Sequence, residues 1–274
     1  MISFPNCKIN LGLSVTEKRA DGFHNIETVF YPVGLSDILE IIVSPNNRLL
    51  FQTSGLEIDG DANNNLCVKA FELLKSKLNI PEVHIHLHKM IPSGSGLGGG
   101  SSDAAFTIKL IDDVHLLSLS EEEQINFAKK LGADCAFFIK NKPVFAFGKG
   151  DDFESIDLDL SGYYIVIVKP NVSVNTTLAY SKILPQKHLI SVKDAIKKPI
   201  SGWKDYLIND FEKVVFEEYP EIKNVKAKLY KSGAIYASMS GSGSAVYGLF
   251  DKKPEIDKNF GSCFVWEGKL GARF

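Results

Sequence analysis

An α+β fold of two lobes is predicted by three features of the chain. Its 274 residues reach the size at which one hydrophobic core stops growing. Strand-like and helix-like periodicities both recur along its length. A Gly- and acid-rich stretch over residues 147–161, holding Gly148, Gly150, Asp151, Asp152, Glu154, Asp157 and Asp159, marks a junction. Lobes spanning residues 1–153 and 154–274 are expected.

Taken in order, residues 7–15 alternate, with Cys7, Ile9, Leu11, Leu13 and Val15 apolar, and predict a strand with one buried face. Lys8 and Asn10 then share its other face. A turn around Asp21 and Gly22 leads to strands over 26–33 and 38–43. Leu66, Ala70, Leu73, Leu74 and Leu78 fall at helical spacing, and a strand follows over 83–91. A helix is expected over 103–114; Ser120 with Glu123 is a capping-box signature opening the next, which Gly132 closes, so that Asp134 sits just past its end. The second half reads as a strand over 163–169, helices near 175–183, 204–217 and 222–231, and strands over 234–239 and 245–250.

Hydrophobic residues make up 45% and charged residues 23%, which suits a packed core. With 31 basic against 33 acidic residues, the net charge of -2 supplies no field for steering nucleic acid or an anionic membrane surface. Any phosphate site must therefore be local. Cys7, Cys67, Cys135 and Cys263 are far apart and form no CxxC pair, so no zinc site or disulfide framework is indicated. No signal-peptide pattern opens the chain and no apolar run is long enough to span a bilayer. A cytoplasmic protein is expected, with no membrane partner, as a monomer or weak homodimer.

The run Pro92, Ser93, Gly94, Ser95, Gly96, Leu97, Gly98, Gly99, Gly100, Ser101 and Ser102 joins an expected strand to an expected helix. Glycines let backbone N–H groups crowd around an anion, and the helix dipole and hydroxyls complete a phosphate cradle. Gly94, Gly96 and Gly99 also satisfy the dinucleotide fingerprint, which would make the chain an oxidoreductase. That fingerprint needs a strand-terminal acid some 20 residues on, where this chain has Asp112 and Asp113 inside a helix. A Walker A loop needs a Lys where Gly100 and Ser101 stand, and no HRD or DFG segment occurs. His84, His86 and His88 share one strand face opposite Val83, Ile85 and Leu87, which reads more simply as an amphipathic strand than as a metal site.

The loop from Pro92 to Ala105 resembles the central motif of the GHMP small-molecule kinases. Pro5, Lys8, Asn10 and Leu11 resemble their first motif, and residues 238–245 their third, so the resemblance runs in order along nearly the whole chain. Within that superfamily, Arg19-Ala20-Asp21-Gly22-Phe23-His24 and Leu131-Gly132-Ala133-Asp134 are similar to the 4-diphosphocytidyl-2-C-methyl-D-erythritol kinase family of the non-mevalonate isoprenoid pathway. The family usually has Tyr at Phe23, and Val-Pro at Cys135-Ala136.

The resemblance implies a ribosomal-protein-S5-like N-terminal lobe, a ferredoxin-like C-terminal lobe, and transfer of the ATP γ-phosphate to a 2-hydroxyl of a cytidine-diphosphate-linked alcohol. It implies ATP on residues 92–102, with Mg²⁺ for which Ser101 and Ser102 are candidate ligands and no ligand set is assigned. By that resemblance Asp134 would be general base and Lys8 its charged partner; a carboxylate beside a fixed ammonium stays ionised, and the ammonium can stabilise a developing alkoxide. Asn10, Phe23, His24, Tyr180, Gly241, Ser242 and Gly243 would bind the substrate, His24 reading the cytosine edge and Tyr180 closing over the ring. Homoserine and mevalonate kinases share the loops, and a nucleotide-binding module without catalysis is the non-enzymatic rival.

Overall fold

The computed structural model describes residues 1–58, 61, 64–256 and 260–271. Its first half builds two four-stranded sheets. One has the order β1-β4-β6-β5, from Ile2–Ser3 (β1), Ile38–Val43 (β4), Leu50–Gly55 (β5) and Val83–Lys89 (β6). The other has the order β2-β3-β7-β8, from Asn6–Lys18 (β2), His24–Ser36 (β3), Val144–Phe147 (β7) and Asp152–Ser155 (β8). The expected junction at residues 153 and 154 falls within β8.

Among the described residues this half also has the α-helices Leu66–Lys75 (α1), Gly99–His115 (α2), Glu121–Lys129 (α3) and Cys135–Lys140 (α4). Their apolar faces, with Phe71, Ile108, Phe137 and Phe138, pack on Leu39, Ile41, Ile85 and Leu87 of the first sheet. Asn65 caps α1 by accepting the Cys67 N–H at 2.9 Å. The capping box at Ser120 and Glu123 is formed, with the Ser120 N–H donating to Glu123 at 2.8 Å.

In the second half, Tyr164–Lys169 (β9), Tyr236–Met239 (β10), Val246–Phe250 (β11) and Phe264–Lys269 (β12) form an antiparallel sheet of order β10-β11-β9-β12. Helices occupy Thr176–Lys182 (α5), Val192–Ala195 (α6), Trp203–Tyr206 (α7), Phe211–Glu218 (α8) and Pro220–Lys231 (α9). The two-lobed α+β class is as expected. Among the described residues no helix is long and apolar enough to cross a membrane.

Three differences from the sequence expectations have physical causes. The strand expected over 7–15 extends across Asn6–Lys18 and is buried on both faces through Val15. Cys7, Ile9 and Leu11 pack on Ile165, Ile167, Tyr236 and Tyr247 of the second half, while Lys8 and Asn10 face the loop side, only 4% and 2% exposed. The polar face of this strand is thus a buried face reserved for polar groups. The helix expected over 204–217 breaks between α7 and α8. There Leu13 donates its N–H to Ile208 and accepts that of Asp210, and the Asn209 amide donates to the Met239 and Gly241 carbonyls at 2.8 Å. Finally, α2 starts at Gly99, so Gly99 to Ser102 form its first turn and the loop proper is shorter than its glycine run.

On β6 the alternation is as expected: Val83, Ile85 and Leu87 are buried, while His86 and His88 each lie 2.9 Å from Ser54 Oγ on the open face.

Candidate active site

Two cavities meet at the glycine loop. The first, about 250 Å³, is lined by Asn65, Leu66, Lys89, Ile91, Asp103 and loop residues Pro92, Ser93, Gly94, Ser95, Gly96, Gly98, Gly99, Gly100 and Ser101. Its wall includes the start of α2, where free backbone N–H groups and the positive helix end favour an anion. Leu97 corrects the expectation of a wholly phosphate-facing loop: its side chain is fully buried in the core, and only its carbonyl serves the site, accepting the Lys8 N–H at 2.9 Å. Ser102 is likewise fully buried and absent from the cavity wall.

The second cavity, about 230 Å³, is lined by Lys8, Asn10, Phe30, Asp134, Lys149, Gly150, Thr176, Tyr180, Phe211, Gly241 and Ser242. Gly96 and Gly98 line both cavities, so these two residues are the partition across which a group would pass.

Residues far apart in the chain converge on that partition. Asn10 N–H donates to Ser240 Oγ at 3.2 Å, and Ser240 Oγ donates to the Gly96 carbonyl at 2.9 Å. The Ala245 N–H donates to the Ser95 carbonyl at 3.0 Å, and the Tyr247 hydroxyl to the Asn10 carbonyl at 2.7 Å. The three motif segments are thereby tied together by buried hydrogen bonds, which rigidify them.

Lys8 Nζ stands at the centre of the second cavity's charge. It donates to Asn10 Oδ1 at 2.6 Å, lies 3.3 Å from Asp134 Oδ2, and sits 4.5 Å from the centre of the Phe30 ring. Asp134 occupies the residue before α4 but makes no capping hydrogen bond. Its carboxylate, about one-third exposed, therefore faces the cavity with Lys8 as its ionic partner. This is an arrangement able to take a proton from a hydroxyl and to stabilise the oxygen left behind.

The expected base-binding residues divide. Tyr180 lines the cavity, its ring edge-on to Phe211 at 4.7 Å, and burial, with Asp134 nearby, pushes its phenol up to about 12. His24 stacks on Tyr180, with centroids 5.1 Å apart and planes 25° apart. Phe23 is 61% exposed and lies under Lys149, whose Nζ is 5.5 Å from its ring centre. Gly241 and Ser242 reach the cavity and Gly243 does not line it.

Lys89, Lys149, Thr176 and Phe211 also line the cavities, and the sequence reading passed over them. Only Lys149, inside the Gly-Lys-Gly of the junction, carries a local signal. The others sit in ordinary strand or helix contexts.

Comparison with known proteins decides the family. Residues 65–142 match the family described as "GHMP kinases N terminal domain", and residues 192–258 match "GHMP kinases C terminal". The chain is 53% identical, over 98% of its length and 100% of the relative's, to the 4-diphosphocytidyl-2-C-methyl-D-erythritol kinase of Bacteroides thetaiotaomicron. The chain belongs to the 4-diphosphocytidyl-2-C-methyl-D-erythritol kinase family.

A crystal structure titled 4-(cytidine 5'-diphospho)-2C-methyl-D-erythritol kinase covers 91% of this chain, with 90% of its own length matched, at a TM-score of 0.79 and 31% identity. The mevalonate kinase of Methanococcus jannaschii covers 97%, with 97% of its own chain matched, at a TM-score of 0.73 but only 14% identity, a likeness of fold alone. As a member of this kinase family the protein is a phosphotransferase, and the GHMP kinases are ATP-dependent.

Proposed function

We propose that this chain transfers the γ-phosphate of ATP to the 2-hydroxyl of 4-diphosphocytidyl-2-C-methyl-D-erythritol. The observation that carries the reading is the partition at Gly96 and Gly98, with an anion cradle on one side and the Lys8–Asp134 pair on the other. Phosphoryl transfer needs positioning and charge stabilisation more than covalent chemistry. ATP binds in the first cavity, its phosphates on the loop amides. Mg²⁺, when bound there with ATP, would offset phosphate charge. Ser101, on that wall, is an oxygen donor of the kind Mg²⁺ would take together with phosphate and water. Asp134 takes the hydroxyl proton, and Lys8 stabilises the alkoxide as the oxygen attacks.

The cytosine enters at His24 and Tyr180. Burial, and to a smaller degree Lys18, hold His24 below its ordinary value, so its ring is neutral at pH 7 and presents one donor and one acceptor. His24→Ala is expected to raise KM for the cytidine substrate by about ten-fold, the worth of one hydrogen bond, with KM for ATP unchanged. Because the shift is downward, the rise in wild-type KM as the ring protonates on acidification is expected at lower pH than for an unperturbed histidine. Steady-state kinetics at varied pH on wild type and His24→Gln checks this, since the variant has no such ring to protonate.

The experiment for the function itself is ADP release with ATP, Mg²⁺ and each of 4-diphosphocytidyl-2-C-methyl-D-erythritol, homoserine, mevalonate and galactose. Turnover confined to the cytidine substrate is expected. Turnover with another alcohol would overturn the substrate, and none with any alcohol would overturn the kinase reading.

A further inference from the structure

Lys89 ends β6 just before the glycine loop, Asp103 stands on α2 just after it, and Asp37 forms the corner between β3 and β4. All three are ionisable groups withdrawn from solvent: 4% of Lys89, 3% of Asp103 and none of Asp37 is exposed. Lys89 Nζ donates to Asp103 Oδ2 at 2.8 Å and also to Asp37 Oδ2. The other oxygen of Asp37 accepts the backbone N–H groups of Met90 at 2.6 Å and Ile91 at 2.8 Å. One carboxylate thus fixes the backbone entering the loop, and one ammonium ties it to the helix leaving the loop.

A buried ionic cluster seldom stabilises a fold more than apolar side chains of the same volume would, so fold stability alone is a weak reason for its presence. Its contacts supply a better one. A Cβ built on Gly99 would lie 2.9 Å from Ile91 Cγ2 and 3.4 Å from Lys89 Nζ, so the cluster also presses the strand end against the first turn of α2. Lys89 and Asp103 line the nucleotide cavity, and Asp103 Oδ1 is buried with no partner among the described residues.

We propose that Lys89, Asp37 and Asp103 are positioning residues that clamp the two ends of the phosphate-binding loop, so that the loop amides are held in place before the nucleotide arrives. This rests on the assignment of ATP to the first cavity. A clamp of this kind lowers the ordering cost of binding, so its loss falls on nucleotide affinity and spares the cytidine site across the partition.

The test is steady-state kinetics on the full chain with ATP and 4-diphosphocytidyl-2-C-methyl-D-erythritol varied in turn. Lys89→Met is expected to raise KM for ATP by at least about ten-fold while KM for the cytidine substrate stays within about two-fold. Asp103→Leu should behave likewise, and Asp103→Asn, which keeps an oxygen for the ammonium, should recover most of the loss. If Lys89→Met does not fold, Asp37→Asn decides, through the same split between the two KM values. Equal changes in both KM values, an unchanged KM for ATP, or Asn no better than Leu at position 103 would each overturn the clamp. A wild-type protein that turns over no ATP would instead overturn the nucleotide assignment on which it rests.

Discussion

Asp134→Asn is expected to lower kcat by about a hundred- to ten-thousand-fold, the range that removal of a positioned general base produces. The substitution keeps the shape of the side chain and removes its ability to take a proton. Neighbouring structure should hold. Asp134 makes no capping hydrogen bond to α4, and Lys8 keeps its 2.6 Å contact with Asn10 Oδ1. The carboxylate is about one-third exposed, so its pairing with Lys8 contributes little to folding and the melting temperature should scarcely move. Both KM values should stay near wild type, because an interaction made only in the transition state acts on kcat. Single-turnover product formation with saturating ATP isolates the chemical step. A loss smaller than ten-fold in that step would place the base elsewhere, and equal rises in both KM values would make Asp134 a binding group.

The glycine loop and the polar face of β2 are legible locally, whereas Lys8 and Asp134 stand out only through the resemblance to the GHMP kinases. A glycine run between a strand and a helix announces an anion site wherever the chain takes it, and the alternation of residues 7–15 puts Lys8 and Asn10 on one face before any partner is known. What the sequence did not carry is set by long-range contact. The second burial of β2, that of its Lys8 and Asn10 face, depends on segments distant in the chain: the Leu97 carbonyl accepts the Lys8 N–H, and Asp134 lies 3.3 Å from Lys8 Nζ. The break between α7 and α8 is made by hydrogen bonds from Asn209 to Met239 and Gly241, and helical periodicity runs straight through it. Lys89 resembles any lysine at a strand end until Asp37 and Asp103 are seen on either side of it. The short strands β5, β7 and β12 went unread for a related reason, since a few residues of weak alternation take their conformation from the strands beside them.

Gly96 is where local and long-range requirements meet, and Gly96→Ala should show both. Its backbone has φ +77°, a region that L side chains rarely adopt, and a Cβ there would lie 2.1 Å from the Ser240 carbonyl oxygen. That neighbour is backbone and is itself held, through Ser240 Oγ, by Asn10 and by the Gly96 carbonyl. Relief therefore requires the loop over residues 92–102 and the loop that holds Ser240 and Gly241 to separate, which widens the partition between the cavities. Strain of this kind costs about 2 kcal/mol or more, a fall of roughly 4–8 °C in melting temperature for a chain of this size. The rate should fall further than stability does, by at least about a hundred-fold in kcat, because a displacement of about 1 Å between reacting groups is enough for that loss. Gly94→Ala is the control: its φ of +59° is also left-handed, but the nearest atom to a Cβ is Ser173 Oγ at 4.0 Å. It bears the conformational strain without the collision, so its melting temperature should fall by less than half as much and its kcat by less than ten-fold. If the two variants lose activity equally, backbone strain alone accounts for the effect and the spacing of the two loops does not govern transfer. If Gly96→Ala alone is inactive while still folded at the assay temperature, the width of the partition is what the glycine preserves.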